Sequence, residues 1–312
     1  MTLSVNRRQA LMASVAAPAV LTLPTATQAD GHSAAAPMEI ARSITLGDMK
    51  VTTLLDGVRN GVEEPQGTFG MNVSAEEFAA VSAENFISAD STSFFFTPTL
   101  VETGEETVLF DTGLGQGGLI KALEAAGKTP ADITTVVITH MHPDHIGGMM
   151  TDGAPTFANA KYFAGQAEYD FWSVQEEGNR VGDLVKSNVT PLVEQVTFVG
   201  DGASVAPGIT SMAAFGHTPG HMVYMLESGG QQLVLTADLA NHFVWSVGYP
   251  DWEVRFDMDK EAAATSRKTV LGMLAADKIP FVGYHMPFPA LGYVAPREDG
   301  FRYVPVSYQF NS

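Results

Sequence analysis

Thr139-His140-Met141-His142-Pro143-Asp144-His145 sets four residues of metal-binding type within six positions. The preceding Thr135–Thr139 is β-branched and apolar, which predicts a buried strand whose end delivers these side chains together. His140 and His142 are two apart and point the same way in extended chain. Pro143 then turns the chain and presents Asp144 and His145 to a neighbouring position. Two adjacent ligand pairs predict two separate metals. Three of the eight histidines of the chain fall in this stretch, which argues against scattered surface residues. Imidazole with carboxylate suits divalent Zn, Fe, Co or Mn.

Outward from this stretch, apolar runs bounded by turn residues recur. Ile44–Leu46 and Val51–Leu55 predict a hairpin across Gly47-Asp48. Ser74-Ala75-Glu76-Glu77 reads as a capping box opening a short helix. Phe94–Leu100 and Thr107–Phe110 read as strands, with Phe94-Phe95-Phe96 assigned to strand core. Leu119–Ala126 predicts a helix that stops at Gly127. Downstream, strands are expected at Tyr162–Ala164, Val196–Val199, Ile209–Ala214, Met222–Leu226 and Leu233–Thr236. Helices are expected near Gln166–Gln175, Val181–Gln195 and Lys260–Ala276. Strands alternating with helices predict a layered α/β architecture.

His140-Met141-His142-Pro143-Asp144-His145 resembles the HxHxDH signature of the metallo-β-lactamase superfamily. Further marks of that family follow in order: Leu109-Phe110-Asp111-Thr112-Gly113, Gly216-His217-Thr218-Pro219-Gly220-His221, Ala237-Asp238-Leu239 and Gly283-Tyr284-His285. The resemblance implies a four-layer αββα sandwich. It also implies His140, His142 and His217 around one metal, Asp144, His145 and His285 around a second, and Asp238 bridging both. Asp111 is then expected to orient a ligand histidine from outside the cage, and His221 to be structural. The stretch from His285-Met286-Pro287-Phe288-Pro289 to Val306, with Trp172, resembles the methyl parathion hydrolase branch of organophosphate, aryl ester and lactone hydrolases. That branch implies a small-molecule substrate, a homodimer, and Trp172 and Phe256 lining an apolar pocket that favours uncharged substrates. The chemistry implied is a hydroxide shared between two cations, zinc first among the candidates, attacking a lactone, aryl ester or phosphotriester. Asp144 and Asp238 are the carboxylates closest to that chemistry. A β-lactamase-like or redox enzyme on the same cage, and a non-catalytic metal-binding protein, are the alternatives.

Composition sets the outer limits. The 312 residues include no cysteine, so thiolate ligands, disulfides and a cysteine nucleophile are excluded. Thirty-five Asp and Glu stand against 17 Lys and Arg, a surface that repels nucleic acid and anionic lipid. Arg7-Arg8 ahead of the uncharged run to Leu23, with small residues at Thr27-Gln28-Ala29, predicts a signal over residues 1–29 of twin-arginine type. Export to the periplasm follows, with no membrane anchor once the signal is removed. Residues 30–38 read as a linker and 39–312 as the hydrolase domain.

Overall fold

The computed structural model describes residues 39–306; the expected signal (1–29) and linker (30–38) lie outside the described residues. The chain begins with β1 (Ala41–Leu46), β2 (Met49–Leu54), β3 (Gly57–Glu63), α1 (Ala75–Glu84), β4 (Ser91–Phe96), β5 (Thr99–Glu102) and β6 (Thr107–Phe110). Next come α2 (Gly118–Ala125), β7 (Thr135–Ile138), α3 (Pro143–Ile146), β8 (Met150–Thr151), β9 (Ala154–Pro155) and β10 (Lys161–Gly165). Then follow α4 (Gln166–Ser173), α5 (Arg180–Asn188), β11 (Val196–Val199), β12 (Ser204–Ala206), β13 (Ile209–Ala213) and β14 (Met222–Ser228). The last elements are β15 (Gln231–Ala237), α6 (Lys260–Asp277), β16 (Phe281–Gly283), β17 (Leu291–Arg297) and β18 (Gly300–Pro305).

Two seven-stranded sheets result, in the orders β1-β2-β5-β6-β7-β10-β11 and β12-β13-β14-β15-β16-β17-β18. Strand alternation explains why they stack. Val51, Val101, Val108, Phe110 and Val137 point into one core with Val223, Leu233, Leu235 and Phe281 of the second sheet. Their neighbours Leu54, Leu100, Leu109, Val136 and Ile138 point the other way, into a core shared with α2, α4 and α5. A sheet buried on both faces must be apolar at successive positions, as β6 and β7 are. The second sheet carries α6, whose Val270, Leu271 and Leu274 are buried with it. The layers are therefore helix, sheet, sheet, helix. The parallel pairs β6–β7, β7–β10, β10–β11 and β15–β16 require crossovers, and those crossovers supply the outer helices. A third core of Phe69, Phe78, Phe94, Trp245, Trp252 and Val254 packs α1 against the two-stranded ribbon β3–β4.

Several sequence expectations hold. The hairpin at Gly47-Asp48 pairs Leu46 with Met49, and Ser74 caps α1 by accepting the Glu77 N–H at 3.1 Å. Two need correction. Phe94–Leu100 is not one strand: Phe96 ends β4, paired with Gly57, and Thr99 begins β5, paired with Thr53 and Phe110. Pro98 between them lacks an N–H and cannot continue a ladder. Val181–Gln195 is not one helix either: α5 ends at Asn188 and a 3₁₀ turn spans Thr190–Gln195. Pro191 again removes the donor that the helix needs. Among the described residues, no helix is long and apolar enough to cross a membrane.

Candidate metal centre

The parallel pairs β6–β7 and β15–β16, one in each large sheet, end where the chain leaves the sheets as loops. Open α/β sheets place their ligand sites at such carboxyl ends. Asp111 follows β6, His140 follows β7, Asp238 follows β15 and His285 follows β16; His217 lies in the β13–β14 loop. His142 stays extended (φ −67°, ψ 156°) as the N-cap of α3, and Pro143 starts the helical turn that carries Asp144 and His145. The change of direction expected at Pro143 is present.

Two groups of ligand atoms form. His140, His142, His217 and Asp238 make one, and Asp144, His145, Asp238 and His285 the other; within each, the atoms lie within 4.8 Å of one another. Asp238 Oδ2 stands 3.3 Å from His217 Nε2 and 3.0 Å from His285 Nε2, one from each group. His145 Nε2 and Asp238 Oδ1 are 3.2 Å apart, yet both are buried without a hydrogen bond. Buried polar atoms are rarely left so. Their orientation suits a cation placed between them, and a donor set of imidazole and carboxylate suits divalent ions. The residues present fit two divalent metals.

Partners behind the cage fix each ring. Asp111, in the left-handed region (φ 63°), accepts from His145 Nδ1 at 2.8 Å and from the Thr139 N–H and hydroxyl at 2.9 Å each. His145 Nε2 is thereby turned into the cage, as expected for Asp111. His285 Nδ1 donates to the Phe95 carbonyl at 2.7 Å. His221 is fully buried and enters neither group. Its Nε2 accepts the Asp238 N–H at 3.1 Å and its Nδ1 donates to the Ala214 carbonyl at 3.1 Å. Burial keeps it neutral, pulled down to about 3. His242 likewise accepts the Val244 and Trp245 N–H groups and stays out of the cage.

Three supporting residues carried no sequence signal of their own. Asp257 Oδ1 meets His217 Nδ1 at 3.0 Å, and its Oδ2 meets Nη1 of the fully buried Arg267 at 2.7 Å. Glu168 is buried on α4; it accepts the Met141 and Gly220 N–H groups at 2.9 Å each and Trp172 Nε1 at 2.8 Å. That one carboxylate clamps the His140 loop to the His217 loop. Glycine is required where these elements meet: a Cβ on Gly220 would lie 2.2 Å from the Glu168 nitrogen, and on Gly216 (φ 123°) 2.1 Å from the Ala263 nitrogen.

Without metal the cage histidines differ in charge. Burial, with the charges of neighbouring histidines, holds His140 and His142 well below the ordinary imidazole range. Burial works the same way on His145, but Asp111, Asp238 and Asp144 outweigh it and hold it well above that range. His217 rises to about 9 against burial, through its bonds to Asp238 and Asp257. Burial would raise Asp238, but His285 and His145 keep it well below the carboxylate range. Cations entering the cage replace these protons as the counter-charge to the carboxylates.

Above Asp144, Asp238 and His285 opens a cavity of about 280 Å³ walled by Phe94, Phe96, Leu114, Phe256, Arg59 and Arg180. Phe256 is a wall residue, as expected. Trp172 is not: it is 5% exposed, bonded to Glu168, and its ring sits 6.1 Å from His142 outside the cavity lining. The Phe94–Phe96 run lies in β4 with Phe94 in the third core, as expected, and Phe94 and Phe96 line the cavity as well. The edges of Phe94 and Phe96 meet the His285 ring at 6.0 and 5.4 Å.

A family model described as metallo-beta-lactamase superfamily matches residues 97–280. The chain belongs to the metallo-beta-lactamase superfamily. Within this superfamily it is similar to an N-acyl homoserine lactonase of Bacillus cereus, 27% identical over 212 residues that cover 59% of this chain and 79% of that protein. The solved structure of AidC, a dizinc quorum-quenching lactonase in complex with a product, is 29% identical with a TM-score of 0.79. It covers 86% of this chain and 99% of that one. The hydrolase AbOPH of the beta lactamase superfamily has the same TM-score at 22% identity and shares the fold, covering 86% of this chain and 97% of its own. These similarities group the chain with the metal-dependent hydrolases of the superfamily.

Proposed function

We propose that this protein is a dinuclear metal-dependent lactonase. The observation that carries the reading is the shared Asp238: its carboxylate joins two complete ligand groups directly beneath a small, largely aromatic cavity. Similarity to N-acyl homoserine lactonases supports lactones as the substrate class. When bound, two divalent cations, zinc by preference, would lower the pKa of a water and polarise the scissile carbonyl.

The residues of the chain do the rest. His140, His142 and His217 would hold one cation, Asp144, His145 and His285 the other, and Asp238 would serve both. Phe94, Phe96 and Phe256 exclude water and seat the apolar part of the substrate. Asp144 and Asp238 both belong to the cage and the cavity floor; Asp144, a member of one ligand group and not both, is the carboxylate placed to pass a proton to the leaving alkoxide. Opening the ester bond of a lactone yields one carboxylate and one hydroxyl, and no further group is needed. Aryl esters present the same carbonyl and phosphotriesters a related electrophile, so slower turnover of both is expected.

Metal analysis with kinetics on N-acyl homoserine lactones, γ-lactones, aryl acetates, a paraoxon-type triester and a chromogenic cephalosporin tests the reading. Lactones are expected to show the highest kcat/KM. A cephalosporin value above all others would replace the lactonase reading.

A further inference from the structure

We infer that the mouth of the cavity holds an anion subsite made by Arg59 and Arg180, so that the favoured substrate carries a negative charge at the end remote from its scissile bond. The inference rests on the lactonase reading for the scissile group and departs from the expectation of uncharged substrates. Arg59 pairs directly with Phe94 across the β3–β4 ribbon, and Gly57 pairs with Phe96. Directly opposed residues share a face, so Arg59 stands on the same face as the two phenylalanines that meet His285. Gly57 beside it presents no side chain. Arg180 also lines the cavity, as the first residue of α5. The start of that helix is fixed by Asn179, whose Oδ1 accepts the Val181 and Gly182 N–H groups at 3.1 and 3.0 Å.

Both arginines are exposed at the rim of the cavity. Arg180, in the first turn of a helix, opposes the helix dipole. On the ribbon, Arg59 shares its face with Phe94 and Phe96. Among the described residues, neither guanidinium makes an ion pair or a hydrogen bond. Yet the chain offers 35 carboxylates against 17 Lys and Arg, so acidic partners were plentiful. Two unpaired guanidinium groups at one opening recognise a carboxylate or sulfate by forked hydrogen bonds. They also offset locally the repulsion that an acidic surface exerts on an anion. The substrate that fits has a lactone over the cage, an apolar stretch between Phe94, Phe96 and Phe256, and a terminal anion between the two arginines.

The test compares, on the metal-loaded full chain, N-hexanoyl homoserine lactone with its congener whose six-carbon acyl chain ends in a carboxylate. The ratio of kcat/KM, anionic over neutral, is expected to fall about tenfold or more in R59Q/R180Q and by less in R59K/R180K, which keeps the charge and loses the fork. It is also expected to fall in the wild type as salt is raised. An unchanged ratio in R59Q/R180Q overturns the subsite. If the wild type opens neither lactone, the lactonase reading fails, and calorimetry with hexyl sulfate decides the subsite separately. Binding about tenfold weaker in R59Q/R180Q than in the wild type supports it, and equal binding overturns it.

Discussion

Asp238 and Asp257 are both buried carboxylates against histidines, and they do different work. Asp238 is shared by the two ligand groups, so Asp238→Ala is expected to fold and to bind fewer than two ions. Its kcat/KM should fall about a hundredfold or more. Circular dichroism, elemental analysis and kinetics check this together; wild-type turnover would remove Asp238 from the site. Asp257 instead neutralises the fully buried Arg267. Asp257→Ala leaves that cation without a counter-charge, only its bonds to the Pro250 and Trp252 carbonyls remaining, and a loss of about 3–5 kcal/mol in urea unfolding is expected, with weaker metal binding through the unanchored His217. Four of the seven cage residues could be read from one stretch after a predicted strand, and His217, Asp238 and His285 came with the family resemblance. Asp257 could not: a carboxylate 40 positions from its histidine looks like any solvated aspartate until folding joins them. Trp172 was misplaced for the converse reason. An indole near the cage and an indole in the cavity wall have the same sequence neighbourhood, and only its bond to Glu168 decides between them.

At the level of elements, the prolines explain where boundaries shift and Glu168 explains how the loops stay together. Pro98 passes the chain from the small ribbon to the first large sheet, and Pro191 ends α5 early. Hydrophobic runs show that a strand exists; they do not show which sheet it joins or that one run serves two. The Phe94-Phe95-Phe96 run gave the strand and hid the fact that its alternate rings face the cage. Glu168 joins α4 to two ligand loops through two bonds and is itself held by Trp172 of the same helix. Glu168→Ala strands the Met141 and Gly220 N–H groups, and a stability loss of at least about 2 kcal/mol is expected. Metal release should also be faster in that variant, measured by transfer to a chromogenic chelator. Unaltered stability and release would mean that the loops are held by the sheets alone.

For the molecule as a whole, metal and fold are coupled. Dialysis against a chelator is expected to abolish activity and lower Tm; at free metal a thousand times Kd, each site contributes about 4 kcal/mol. Reconstitution should restore both with two ions per chain, and saturation at one would sink the two-group cage. Export belongs to this scale too: Arg7→Lys with Arg8→Lys is expected to remove the protein from a periplasmic fraction, and undiminished export would mean another route. The position of the ribbon β3–β4 has a wider consequence. All seven cage residues issue from loops at the edge of the two large sheets or between their strands, whereas Arg59, Phe94 and Phe96 sit on a ribbon that pairs with neither sheet. Selection can therefore vary the side chains of the ribbon while its backbone, whose Phe95 carbonyl holds His285, stays in place. Lineages that share this cage are free to diverge in diet while keeping one reaction, and an engineer who wishes to redirect the protein has a short run of side chains to exchange.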